Sequence, residues 1–218
     1  MIETAEVDGV QVLRMVAGEN RLNSDFVRSL DGALAAAADP GGPLVLIGTG
    51  KFFCNGLDLE WLGSAPPDEA GQMFRDLHAV LAHLLRFPGA TVAAVNGHAF
   101  GAGAVIAAAA DFRVQRSDRG YLCFPEVDLG MSMSDEFDAV LRAKLPSASV
   151  LQGLLTGRRY TAEADKAAGF VDTEAPEDEL LEAALDQVRD LVGKDPATVA
   201  AIKAQQHKAA LAVLAAGS

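Results

Sequence analysis

The sequence predicts an α/β fold built on a largely parallel sheet with both faces covered, followed by a helical C-terminal region. Three observations carry this. Two unbroken apolar runs, LVLIG after Pro43 and TVAAV before Asn96-Gly97, read as strands with no solvated face. Helical segments stand between and after these runs, so the strands need crossover connections. Beyond residue 135 nearly every signal is helical.

The elements follow in order. Alternating residues flank Asp8-Gly9, a two-residue link that favours a tight hairpin, so the chain begins with β structure. Asn23 or Ser24 caps a helix in which Phe26, Leu30 and Leu34 recur every four residues, and Asp39-Pro-Gly-Gly stops it. Residues 49–60 form a glycine-punctuated loop, and Ser64-APPDE is a second break before a helix over 70–87. GAGAVIAAAAD is a helix of small residues. Further helices are expected over Phe137–Lys144, Ser147–Leu155 and Ala162–Ala168, then two more separated near Lys194-Asp-Pro.

With 218 residues and 50% hydrophobic content, the chain can bury one sizeable core, so a single domain over residues 1–218 is expected. Its formal charge of −12 repels phosphate backbones and anionic headgroups, which argues against nucleic acid and membrane partners. The apolar stretch 88–110 is divided by Pro88-Gly89, Asn96-Gly97 and Gly101/Gly103, so it is not a spanning helix. Cys54 and Cys123 are too few for a disulfide scaffold, and MIETAEVDGV has neither the basic flank nor the apolar core of a signal peptide; a cytoplasmic location is expected.

Several site types are missing. Gly48-Thr49-Gly50-Lys51 lacks the phosphate-loop spacing, and Gly97, Gly101 and Gly103 do not form GxGxxG. His78 and His83 lie five apart and share no helix face, so no metal site is expected. Gly130-Met-Ser-Met-Ser is not a nucleophile elbow.

Two glycine-rich segments remain, FFCNGLDLEWL at 52–62 and VNGHAFGAGAVIAAAAD at 95–111. Each follows a buried strand and opens a helix, so each offers unpaired backbone N–H groups at a first turn. Two such ends can converge on one oxygen and stabilise negative charge on it, although tight turns alone also explain the glycines. Glu126 stands in the apolar run Phe124-Pro125-Glu126-Val127, where burial raises a carboxyl towards the range of a working general base. Asp128 is its competitor, and a helix-capping or solvated Glu126 is the plainer reading.

At these segments the sequence resembles the crotonase, or enoyl-CoA hydratase/isomerase, superfamily. FFCNGLDL is similar to its acyl-pocket loop, TVAAVNGHAFGAGAVIAAAADFRV to its A-A-V-N-G-x-A-x-G-G-G segment, FPEVDLG to its P-E-V-x-L-G, and LLTGRRYTAEADKAAGFVD to a further motif; together they span about residues 44–172 in the family's order. The resemblance implies a ClpP/crotonase spiral of β-β-α turns over residues 1–160, a helical region over 161–218, and a homotrimer or dimer of trimers. It implies an acyl-CoA thioester as substrate, with no separate cofactor. The Leu57 and Ala102 amides would form the oxyanion hole and Glu126 would be the acid/base. Lys51 would lie near the CoA phosphates and Leu59 near the adenine, with Gly56, Asp58 and Gly101 among the thioester-binding positions.

Hydratases of this superfamily carry two glutamates, and the position of the first is Val105 here. The wording of the motifs resembles the Δ3,Δ2-enoyl-CoA isomerase branch, in which one carboxylate moves a proton from C2 to C4. Two alternatives stand beside it: a hydratase or other crotonase chemistry using Glu126 with a second acid among Asp135, Glu136 and Asp138, and a non-catalytic acyl-CoA-binding relative. Cys54 and Cys123 read as small core residues, Trp61 as tunnel lining or packing, and His98 as a satisfied buried histidine.

Overall fold

The computed structural model describes residues 1–217. β1 (Ile2–Val7) and β2 (Val10–Met15) form the antiparallel hairpin. Both link residues have positive φ, 52° at Asp8 and 80° at Gly9, which lets a two-residue turn follow the twist of its strands. α1 (Ser24–Ala38) starts at Asn23, whose side chain accepts from the Phe26 N–H at 3.0 Å.

Three β-β-α turns follow. β3 (Leu44–Ile47) and β4 (Phe52–Cys54) lead into α2 (Leu59–Ser64) and α3 (Pro67–Leu85). β5 (Thr91–Val95) and β6 (His98–Phe100) lead into α4 (Ala102–Ala109), and β7 (Phe112–Arg116) and β8 (Leu122–Cys123) into α5 (Asp135–Lys144). The first strand of each turn joins a six-stranded sheet ordered β1-β2-β3-β5-β7-β9, where β9 is Thr173–Ala175; the second joins a three-stranded sheet ordered β4-β6-β8. The chain thus climbs as a spiral, and the strand pairs after the hairpin are parallel.

Alternation along each strand splits the core in two. Leu44 and Leu46 of β3 face the larger cluster with α1, α3, α4 and α5, whereas Val45 and Ile47 face a smaller one under α8 (Leu180–Asp186). Both faces of β3 and β5 are therefore dry, which is why these strands read as continuous apolar runs. Every residue of α4 is buried. Alanine and glycine let this helix pass through the centre of the molecule; a Cβ at Gly103 would collide with the Cys54 carbonyl oxygen.

The C-terminal region departs from the expected all-helical character. After α6 (Ser147–Thr156) and α7 (Ala162–Ala168), β9 extends the main sheet beside β7. Three residues are too few to show alternation, and this strand exists because β7 presents an open edge to it. The end of the chain holds α8, then α9 (Pro196–Gln206) and α10 (Lys208–Ala216), three helices where two were expected, because the last pair breaks at His207. α10 packs on α3 and α5. α9 is pinned by Lys203, whose Nζ lies 2.6 Å from Asp111 Oδ2 and 3.1 Å from the Gly89 carbonyl. Among the described residues no helix is long and apolar enough to cross a membrane.

Candidate active site

The first glycine loop is held by the segment after β2. The Asn55 N–H donates to the Glu19 carbonyl, Leu22 N–H to Gly56 and Asp58 N–H to Leu22, at 2.9–3.0 Å. Leu22 thus grips the residues on either side of Leu57, which turns Leu57's own N–H away from it, and this amide has no backbone acceptor among the described residues. Gly56 sits at φ 78°, and a Cβ there would stand 2.7 Å from the Phe100 carbonyl oxygen and 3.8 Å from the Ala102 nitrogen. Only glycine lets the two loops come this close.

The second loop is fastened from β8 by Ala99 N–H to Tyr121 and Gly101 N–H to Cys123, at 2.9 and 3.0 Å. Gly101 takes φ 51° and caps α4, so Ala102 provides the first N–H of the helix, one of those with no partner in the turn before it. Two unpaired amides, at Leu57 and Ala102, therefore flank one point of close approach.

Glu126 overlooks that point. It follows β8 in a turn closed by Met131 N–H donating to the Glu126 carbonyl at 2.9 Å. A Cβ added to Gly101 would lie 3.5 Å from Glu126 Oε1. Its other oxygen, Oε2, is buried without a hydrogen-bond partner, and burial raises the carboxyl above its ordinary 4.5. A carboxylate so placed is a stronger base than a solvated one and is free to take up a proton.

These groups share one cavity of about 380 Å³, whose lining includes Gly56, Leu57, Leu59, Gly101, Ala102 and Glu126 together with Phe74, His78, Met133, Ser134, Glu136 and Phe137. A shallower groove adjoins it, sharing Asn55, Leu57, Leu59, Phe100, Pro125 and Leu129 and adding Arg21 and Arg159. Asp128 opens onto this outer groove and not onto the cavity.

Other sequence-chosen residues lie elsewhere. Asp58 caps α2, accepting from the Trp61 N–H at 3.2 Å and from the Asn23 amide at 3.3 Å, and does not line the cavity. Lys51 is exposed, its Nζ 5.2 Å from the centre of the Phe52 ring, and lines neither cavity nor groove. Val105 is fully buried in the core. Trp61 packs against the core. His98 is a correction: it is not satisfied, because its Nδ1 is buried without a partner. The ring lies parallel to Phe100 at 5.3 Å between centroids and tilted to Tyr121 at 5.2 Å, and burial together with Lys51, Arg119 and Arg159 pushes its pKa down. Cys54 and Cys123 are buried, their thiols pushed up to about 12 and about 11 mainly by burial. Arg21, Arg159 and His78 carried no functional signal in the sequence, since each comes to the site from a remote segment.

Comparison with known proteins gives the family. A family model described as enoyl-CoA hydratase/isomerase matches residues 7–218. Over 171 residues the chain is 37% identical to the peroxisomal enoyl-CoA delta isomerase 2 of Arabidopsis thaliana, covering 74% of this chain and 71% of that protein. Over 162 residues it is 37% identical to a carnitinyl-CoA dehydratase of Salmonella arizonae, covering 73% of this chain and 60% of the relative. The crystal structure of an enoyl-CoA hydratase from Mycobacterium ulcerans has the same fold, with a TM-score of 0.91 at 28% identity over 99% of this chain and 95% of that one. The spiral, the paired amides and the match over nearly the whole length place this chain in the enoyl-CoA hydratase/isomerase, or crotonase, family, whose members act on acyl-CoA substrates.

Proposed function

We propose that the chain is a Δ3,Δ2-enoyl-CoA isomerase in which Glu126 is the only acid/base. The observation that carries this reading is a single unpartnered carboxylate beside two unpaired amides, with the aliphatic Val105 buried where a second glutamate would stand in a hydratase. The Leu57 and Ala102 N–H groups hold the thioester oxygen. Glu126 removes a proton from C2 of the 3-enoyl thioester, and the electron pair moves onto that oxygen as an enolate. The same carboxyl returns the proton to C4, so the double bond moves from C3–C4 to C2–C3 with no net change in atoms or electrons. Each amide is worth ~3–4 kcal/mol of barrier in sites of this kind. Arg21 and Arg159 on the outer groove suit the CoA phosphates, in a chain whose net charge is otherwise acidic.

The test is the ultraviolet absorbance of the conjugated thioester after mixing purified protein with a 3-enoyl-CoA. A rise well above the buffer control supports the reading, and its absence rejects it. A second reading, water addition or removal, has its own support in Glu136 on the same cavity and in the dehydratase relative. Faster hydration of crotonyl-CoA than isomerisation of a 3-enoyl-CoA would select it.

A further inference from the structure

One buried carboxyl takes no part in the reaction yet stands against the strand that leads to Glu126. Asp165 of α7 is fully buried, and neither of its oxygens makes a hydrogen bond among the described residues. The Gln115 side chain of β7 and the Leu122 N–H of β8 are near enough to act on it. The Tyr160 hydroxyl and both polar atoms of the Gln115 amide are buried and equally unpartnered. The charged or titratable groups that face Asp165 are Arg158, Cys123 and Tyr160. Arg158 is exposed, with its guanidinium over the Tyr160 ring at 4.9 Å.

Pairing requirements decide which form of Asp165 this seat suits. A protonated carboxyl both donates and accepts, as the Gln115 amide does, so the two complement each other. An ionised carboxyl only accepts. It opposes the Gln115 carbonyl oxygen and competes for the Leu122 N–H, which already donates to the Tyr160 carbonyl at 3.2 Å. It also places a charge in a buried seat where no ion pair meets it, which is costly. Burial accordingly pushes the Asp165 carboxyl up to about 8. Burial raises Cys123 and Tyr160 as well, so both keep their protons where Asp165 gives up its own.

β8 carries the state of this carboxyl to the site. Leu122 and Tyr160 exchange backbone hydrogen bonds at 3.2 and 3.0 Å. Beside them the Cys123 carbonyl accepts from the Gly101 N–H at 3.0 Å, which fastens the loop that presents the Ala102 amide. Phe124, whose ring meets Phe170 edge-on at 5.9 Å, and then Pro125 lead on to Glu126. Weakening the Leu122–Tyr160 pair would therefore unseat the base and one of the two amides together.

We propose that Asp165 is a positioning residue: uncharged between β7 and β8, it keeps β8 seated, and β8 in turn holds Glu126 and the Ala102 amide in place. This rests on the isomerase reading for its rate but not for its structural readout. The experiment measures kcat and KM for a 3-enoyl-CoA from about pH 6 to about pH 9.5 in the parent, Asp165→Asn and Asp165→Leu. The Gly101 and Cys123 amide resonances are followed by NMR over the same range. In the parent kcat should fall by roughly tenfold between about pH 7 and about pH 9, and both resonances should move through a midpoint of about 8. Asparagine keeps a donor and an acceptor and never ionises, so Asp165→Asn should abolish both the fall and the movement. Leucine fills the space but cannot pair, so Asp165→Leu should lower kcat at every pH, and Asp165→Asn should restore it at neutral pH. A residue that only filled the core would give neither result. An alkaline fall that survives in Asp165→Asn overturns the proposal, as does a parent rate that stays level to about pH 9.5. If Asp165→Leu does not fold, the parent and Asp165→Asn profiles decide alone. Absence of turnover at every pH rejects the isomerase reading, and the resonances then decide this one. Movement that Asp165→Asn removes keeps it, and resonances that stay fixed in the parent overturn it.

Discussion

Replacing Asp165 by Asn should stabilise the protein, and by an amount that grows with pH. Asp165 lies on α7 at 0% exposure, and neither carboxylate oxygen has a hydrogen-bond partner. Burial pushes its pKa from 3.8 up to about 8, while the nearby Gln115 side chain, the Leu122 amide and Arg158 pull weakly the other way. The Tyr160 hydroxyl and the Gln115 amide are likewise unpartnered, and the effect of burial on the Asp165 carboxyl outweighs that of its neighbours. Since the folded state holds this proton more tightly than the unfolded chain, its contribution is greatest below 3.8 and is lost as pH rises to about 8. The difference of about 4 units, at about 1.36 kcal/mol each, sets a ceiling of roughly 5 kcal/mol, because any water admitted to the site lowers the cost of the charge. Urea unfolding of both proteins at about pH 5 and about pH 8.5 checks this, because subtracting the two cancels every other titrating group. The variant's advantage should widen by more than about 2 kcal/mol between the two conditions. Stability curves that stay parallel across pH would refute the argument.

Other consequences follow from the same geometry. Burial alone would raise the Asp111 pKa, but the Lys203 and Lys144 ammonium groups hold it below its ordinary value, and Asp111→Ala leaves both lysines buried and unpaired. A loss of about 3–5 kcal/mol in chemical denaturation is expected, with α9 released first in hydrogen exchange. Gly103→Ala forces a methyl group into the Cys54 carbonyl and should cost ~1–3 kcal/mol in stability, and it should lower activity further by parting the two amide loops. The kcat/KM for isomerisation should fall as pH drops through the pKa of Glu126, with its inflection above 4.5 because burial raises that group; an inflection at or below 4.5 would assign the base elsewhere.

Sequence patterns revealed the long elements and the three segments of the site. Asp8-Gly9, the Asn23 cap and the dry runs of β3 and β5 are local statements, and each appears where its residues require it. β4, β6 and β8 are two or three residues long and acquire strand character only by pairing with each other, so no periodicity announces them. Leu57, Ala102 and Glu126 stand in short motifs, and the fold brings the three to one cavity. Asp58, named with the motif as a binding position, caps α2 and is not among the cavity lining, as suits an Asp after a glycine turn. His78, Arg21 and Arg159 reach the site through tertiary packing of α3, of the segment after β2 and of the turn before α7, and nothing in their sequence neighbours marks them.

The central claim is that one carboxylate does all the proton transfer. Glu126→Gln keeps the shape of the side chain and removes only its capacity to exchange a proton, so a direct comparison of 3-enoyl-CoA isomerisation by the parent and this variant isolates that capacity. The account expects the rate to fall by roughly 10²–10⁴ or more, with the circular dichroism spectrum and the affinity for a saturated acyl-CoA retained. A variant that keeps most of the parent rate would contradict it and require another base on the cavity.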